Sequence, residues 1–154
     1  MNFETSRAKA LDKLDNFIEN NLSEYSKLRN FDFGPKNRSN TSCLSPYITH
    51  GIIKEKEIIE KSLNKFSFSK NEKFIQEVLW RTYWKGWLEL RPNVWNDYLI
   101  ELNNMRKDFN NNQNYLNAIE GKTKIECFDQ WVNELKENNY LHNHTRMWFA
   151  SIWI

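Results

Sequence analysis

The sequence has 154 residues, the size of one compact domain, and its 40% hydrophobic content can supply one core. Lys and Arg number 22 against 20 Asp and Glu, and a net charge of +2 does not by itself indicate a nucleic-acid or membrane binder. No stretch approaches the ~20 consecutive apolar residues of a membrane span, and the first residues lack a signal-peptide pattern. We therefore expect a cytoplasmic protein without a membrane partner.

Helical spacing of apolar residues begins near the N-terminus, where a first amphipathic helix is predicted, capped by Thr5 or Ser6 and ending near Asn20. Its apolar positions are Leu11, Leu14, Phe17, Ile18 and Leu22. A polar run without helical or strand period follows from Arg29 to Ser45 and predicts an ordered or ligand-binding loop. Ser45-Pro46 then predicts a helix with Ser45 as its N-cap, which stops around Gly51.

Helical patterns continue to the end of the sequence. Ile53 to Leu63 predict one helix, and Ser69 to Glu72 have the spacing of a capping box before a helix of about five turns, which Pro92 ends. Further helices are predicted around 95–105, 115–119 (stopped by Gly121), 128–135 and from near His142 onward. No window alternates like a β-strand, so the predicted fold class is all-α.

Residues 147–154 form an apolar helical run that stops without a polar C-terminal signal. Because termini usually lie at the surface and fray, we expect a truncated sequence.

The long helix carries an acid, a guanidinium and three aromatic rings along one stripe: Phe74, Glu77, Trp80, Arg81 and Trp84. Two interpretations are open. The stripe is either a packed helix face with an internal Glu77–Arg81 ion pair, or a pocket in which an extruded base stacks on Trp while Glu77 contacts its polar edge.

The loop before Ser45 has two similar interpretations. Its hydroxyls on Thr41, Ser42 and Ser45, with the backbone N–H groups of a helix start, either cap the helix or bind a phosphate. A metal site is not expected: neither Cys43 nor Cys127 lies in a C-x-x-C motif, and His142 and His144 would point apart on a helix.

Five short motifs, in order over residues 25–151, resemble the FAD-binding helical domain of the DNA photolyase and cryptochrome family. They are Tyr25-x-x-x-Arg29-Asn30, Thr41-Ser42-x-Leu44-Ser45-Pro46-Tyr47 with Gly51, Glu77-x-x-Trp80-Arg81, Gly121-Lys122-Thr123 with Asp129, and Leu141-His142-Asn143-x-x-Arg146-Met147 with Ala150-Ser151. The resemblance implies that residues 1–154 are the N-terminal part of one multi-helix domain, without the family's antenna domain and the second half of its flavin site.

The resemblance also implies roles for individual residues. Contacts to FAD fall on Tyr25, Thr41, Ser42, Cys43, Leu44, Ser45 and Arg81. The catalytic pair is Glu77, which hydrogen-bonds the flipped pyrimidine dimer, and Trp80, the wall of its pocket. DNA contacts fall on Arg29, Glu77, Trp80, Arg81, Trp84, Asn143, His144 and Met147. Cys43, Tyr140 and His144 depart from the family pattern, and two of these changes replace an Arg, which lowers the local positive charge.

The function implied is light-driven repair of cyclobutane pyrimidine dimers in DNA by electron transfer from reduced FAD, in a lyase expected to be monomeric. Two alternatives stay open: a cryptochrome-type flavin photoreceptor without repair activity, and an inactive helical fragment.

Overall fold

The computed structural model describes residues 3–153, and these form nine helices and no strand. The prediction of an all-α fold is confirmed. The helices are α1 (Arg7–Asn20), α2 (Leu22–Leu28), α3 (Ser45–Thr49), α4 (Glu55–Lys65), α5 (Phe68–Glu89), α6 (Pro92–Phe109), α7 (Gln113–Glu120), α8 (Glu126–Asn138) and α9 (Asn143–Trp153). Met1, Asn2 and Ile154, to which the expectations about the chain ends refer, lie outside the described residues.

The chain divides into two compact units, residues 1–84 and 85–154, and the sequence of α5 runs across the boundary. The expectation that residues 1–154 belong to a single larger domain stays a prediction.

The core of the first unit is built on α1, whose Ala10, Leu14, Phe17 and Ile18 are buried. The Ser6 side chain accepts a hydrogen bond from Lys9 N at 3.2 Å, as expected of an N-cap. The same core contains residues of α2 to α5 and of the loops on either side of α3: Leu22, Leu44, Tyr47, Ile53, Ile58, Phe74 and Val78. The core therefore fixes the loop between α2 and α3 (residues 29–44) against α1.

Three local predictions differ from the structure. Leu22 begins a separate helix, α2, which the apolar spacing did not reveal. Ser45 is the first residue of α3 and not its N-cap, a position that Leu44 occupies without a side-chain cap. The capping box at Ser69–Glu72 does not form, because α5 already begins at Phe68. Asn71 is instead buried and donates from Nδ2 to Ser62 O at 2.8 Å.

In the second unit, the Asn112 side chain caps the N-terminus of α7, and Gly121, with φ +70°, is its C-cap. The buried apolar residues here are Phe128, Val132 and Leu141, whereas α6 buries none of its residues. Hydrophobic stabilisation in this unit consequently centres on α8 and the residues just before α9.

Candidate functional site

The loop of residues 29–44 borders a cavity of about 400 Å³ in the first unit. Thr41, Ser42 and Cys43, three of the predicted cofactor residues, line it together with Lys13 of α1 and Lys36. The remaining lining residues are Asn16, Phe17, Asn21, Pro35, Arg38 and Ser39. Within residues 3–153, no Asp or Glu lines the cavity and neither lysine pairs with a carboxylate. The donor set of cations, hydroxyls and amides is suited to an anion.

Two buried side chains hold the loop in shape. Arg38 Nη1 donates to Asp32 Oδ1 at 2.9 Å, and the same oxygen accepts from Gly34 N at 2.8 Å. Asn40 Nδ2 donates to the backbone oxygens of Leu28 and Phe31, at 2.8 and 2.7 Å, which ties the loop to the end of α2. The hydroxyls of the loop are therefore presented on a frame of internal hydrogen bonds.

The backbone at Cys43 has φ +50°, a left-handed conformation that is uncommon for a residue with a side chain. Its Sγ lies 3.4 Å from Thr41 Oγ1, and the side chain is buried. Leu44 is also buried, in the core, so any contact it makes to a ligand would come from its backbone. The following helix α3 has five residues, and the hydroxyls and lysines, not a helix dipole, supply the attraction for an anion.

Tyr25 of α2 lies beside the cavity residue Phe17, with ring centroids 5.9 Å apart in an edge-to-face contact. Burial raises the pKa of the Tyr25 phenol to about 12, and the charge of Glu77 adds to the increase, while Arg29 opposes it. The phenol is therefore a neutral hydrogen-bonding group at physiological pH.

Glu77 of α5 pairs with Arg29 and not with Arg81. Arg29 Nη1 donates to Glu77 Oε1 at 2.5 Å across 48 positions of sequence. Arg81 instead donates to the Thr49 hydroxyl at the end of α3. The helical Glu77–Arg81 pair is thus absent, because Arg29, just after α2, engages Glu77, and Thr49 of α3 engages Arg81.

An exposed aromatic face, formed by Trp80, Tyr83 and Trp84, follows Glu77 along α5. Each side chain is about half exposed, at 52%, 54% and 51%. The Trp80 and Trp84 rings stack with centroids 6.3 Å apart, and Tyr83 contacts both of them edge to face. Nucleic-acid bases stack on aromatic rings that are partly exposed and held in place by neighbouring rings, as these are.

The three predicted DNA contacts of the second unit lie together at the start of α9. Asn143 and Met147 are exposed one turn apart. His144 is half-buried against Trp148, with ring centroids 6.3 Å apart, and its Nδ1 has no hydrogen-bond partner within residues 3–153. Because this nitrogen is itself buried, a ligand would reach it only after the side chain moved.

Asp129, a residue of the fourth motif, stabilises a turn of the chain itself. Asp129 accepts hydrogen bonds from Thr123 Oγ1 and N, at 2.7 and 2.9 Å, and from Lys124 N at 3.1 Å. Burial alone would raise the pKa of Asp129, but these hydrogen bonds hold it below the ordinary value. The carboxylate thus closes the turn between α7 and α8.

Comparison with sequence models of known families finds no match. Individual proteins do match. The deoxyribodipyrimidine photo-lyase of Vibrio cholerae is 25% identical over 154 residues, which are 97% of this chain and 31% of that protein. The enzyme of that name from Agrobacterium fabrum is 30% identical over 152 residues, covering 94% of this chain and 30% of its own length. A crystal structure of a bacterial class III photolyase from Agrobacterium tumefaciens aligns with a TM-score of 0.73 and 26% identity, over 95% of this chain.

The chain is similar to photolyases over nearly its whole length.

It spans about 30% of the length of these photolyases. The photolyase motifs were read from the sequence, but Lys13, Lys36 and Tyr83 were not among the predicted site residues. Lysines at helix and loop positions are common on any surface, and only the cavity distinguishes these two. The described part of this photolyase relative has no helix long and apolar enough to cross a bilayer.

Proposed function

We propose that this chain is part of a flavoprotein that repairs cyclobutane pyrimidine dimers in DNA under light. The observation that carries the proposal is the presence, in the first unit, of an anion-suited cavity together with a carboxylate, Glu77, followed on α5 by the exposed ring of Trp80. The relatives named above are photolyases, which favours repair over the photoreceptor alternative.

The donors around the cavity fit the diphosphate of FAD. Thr41 and Ser42 would donate hydroxyl hydrogen bonds, and Lys13 and Lys36 would balance the negative charge. Tyr25, Cys43, Leu44, Ser45 and Arg81 complete the proposed cofactor residues. Reduced flavin, when bound, supplies the electron that opens the cyclobutane ring.

The DNA side of the proposal rests on the exposed aromatic face. A base taken out of the duplex exposes two flat faces and a polar edge, which Trp80 and Glu77 would contact. Trp84 and Arg81 continue this face, and Asn143, His144 and Met147 are the proposed contacts from α9. The monomeric state stays a prediction.

The decisive variant is Glu77→Ala, tested by loss of dimers from irradiated oligothymidine under blue light. Because a hydrogen bond to a charged group contributes about 1.5–3 kcal/mol, we expect repair to fall by roughly 10- to 100-fold with unchanged FAD content. Glu72→Ala, an exposed acid on the same helix, is the matched control and should repair normally. Normal repair by Glu77→Ala would remove Glu77 from the lesion pocket.

The cofactor is tested separately, by thermal unfolding with FAD or with riboflavin, which lacks the diphosphate. We expect FAD to raise the Tm more than riboflavin does, and Ser42→Ala to reduce the difference, because ligand binding stabilises the folded state. Ser26→Ala, an exposed serine of α2, should behave like the original chain. Equal effects of the two ligands would contradict the diphosphate site.

A further inference from the structure

The ion pair between Arg29 and Glu77 joins two elements of the first unit. Arg29 follows the last turn of α2, and Glu77 lies on the third turn of α5. The side chains are 24% and 38% exposed, so water reaches the pair only partly. Among residues 3–153, only Oε1 of Glu77 accepts a hydrogen bond, and Oε2 is left available to a ligand.

A second contact braces the same two helices beside the pair. The ring of Tyr25, one turn before Arg29, meets Phe74 edge to face with centroids 5.3 Å apart. Phe74 in turn lies three positions before Glu77 on α5. Aromatic packing therefore helps to set the backbone positions from which the two charged side chains meet.

A guanidinium at this place can act in two ways. It can contact DNA, as the family resemblance implies, with a backbone phosphate as its natural partner, or it can hold the carboxylate. Moving Arg29 to a phosphate would break this hydrogen bond and leave the partly buried Glu77 carboxylate without its partner. The observed contact therefore favours the second role.

We propose that Arg29 is a positioning residue for Glu77: it occupies Oε1 and so orients Oε2 toward an extruded pyrimidine, and it does not act as a contact to a DNA phosphate. The proposal rests on the repair function proposed above. It assigns lesion recognition to the Arg29–Glu77 pair, in which loss of either side chain lowers the preference for damaged DNA to the same extent.

Affinity for dimer-containing and intact duplexes, measured at several KCl concentrations, tests the proposal. We expect Arg29→Gln to lower the preference for damaged DNA by roughly tenfold or more, as Glu77→Gln does. The double variant should lose no more than either single variant, because both remove the same interaction. The slope of log K against log salt should stay as in the original chain.

The opposite result is equally clear. If Arg29 contacted a phosphate, Arg29→Gln would reduce that slope by roughly 0.9 and weaken binding to both duplexes alike. That outcome, or an unchanged preference for damaged DNA, overturns the positioning role. If the original chain itself shows no preference for dimers, the repair function fails first.

Two further variants control for charge and folding. Lys27→Gln removes a cation of α2 whose partner, Glu24, is exposed, and it should keep the lesion preference. Arg29→Lys keeps a cation near Glu77 and should retain part of the preference even if Arg29→Gln folds poorly. A preference lost equally in Arg29→Lys and Lys27→Gln would contradict the proposal.

Discussion

The Tyr25 phenol is buried between Phe17 and Phe74, and this burial, with the nearby charge of Glu77, raises its pKa to about 12. The ordinary value is 10.0. Since the folded chain holds the proton more tightly than the unfolded chain does, the group contributes stability that is fully present below pH 10. That contribution is lost as the pH rises through about 12.

We therefore expect the free energy of unfolding of Tyr25→Phe to depend less on pH between pH 10 and pH 12 than that of the original chain. Urea denaturation measures this dependence. Part of the dependence should remain, because burial also raises the pKa of Tyr47. Parallel stability curves for the variant and the original chain in this pH range would contradict the role of Tyr25.

Two features of the turn after α7 favour glycine at position 121. Its φ of +70° lies in the left-handed region, and an added Cβ would lie 3.2 Å from both Asp129 O and Val132 Cβ. We expect Gly121→Ala to lower the free energy of unfolding by about 1–3 kcal/mol, from backbone strain and crowding.

Gly86 provides the matched control, because it lies inside α5 and an added Cβ would meet nothing within 4 Å. Gly86→Ala should raise the free energy of unfolding by about 0.5–1 kcal/mol through helix propensity. Chemical denaturation of both variants checks the pair, and the same sign for both changes would refute the argument.

Among the helices, α1 and α5 differ in how their apolar residues are used. Leu14 of α1 is fully buried, whereas Leu79 of α5 is 50% exposed. The buried part of α5 is limited to Asn71, Phe74, Ile75 and Val78. Periodicity therefore identified the helix correctly but did not separate its core-facing turns from its exposed ones.

A pair of equivalent truncations measures this difference. Leu14→Ala should cost about 2–5 kcal/mol of stability, because it leaves a cavity in the core. Leu79→Ala should cost about 0.5 kcal/mol, since its side chain is half solvated already. Similar denaturation midpoints for the two variants would mean that Leu79 is packed as tightly as Leu14.

At the scale of the molecule, buried apolar residues are unevenly distributed. The first unit has a core contributed by five helices and the α2–α3 loop, while α6 of the second unit buries no residue. Local stability follows buried contacts, so the two units should differ in how readily their backbones open.

Hydrogen exchange followed by mass spectrometry tests this expectation. Amides of α1 should exchange at least tenfold more slowly than those of α6, because α1 opens only when the core of its unit opens. Equal protection in peptides from the two helices would show that an environment other than the described burial protects α6.

The chain corresponds to only part of the length of the photolyases that it matches. It covers about 30% of the photolyases that it matches. The proposed flavin contacts all fall in the first unit, whereas the proposed DNA contacts fall in both units. That residues 1–154 are the N-terminal part of one larger domain stays a prediction.

Local sequence patterns were sufficient for the all-α class, for the approximate positions of eight of the nine described helices and for the family motifs. A helix depends on residues a few positions apart, so the spacing in α1 and the stop at Gly121 could be read directly. Only the tertiary structure decided which residues meet. Glu77 pairs with Arg29, 48 positions away, although Arg81 stands one turn along the same helix. Lys13 joins Thr41 and Ser42 at one cavity because the core packs α1 against their loop. Such contacts follow from burial of a shared core, which local spacing does not encode.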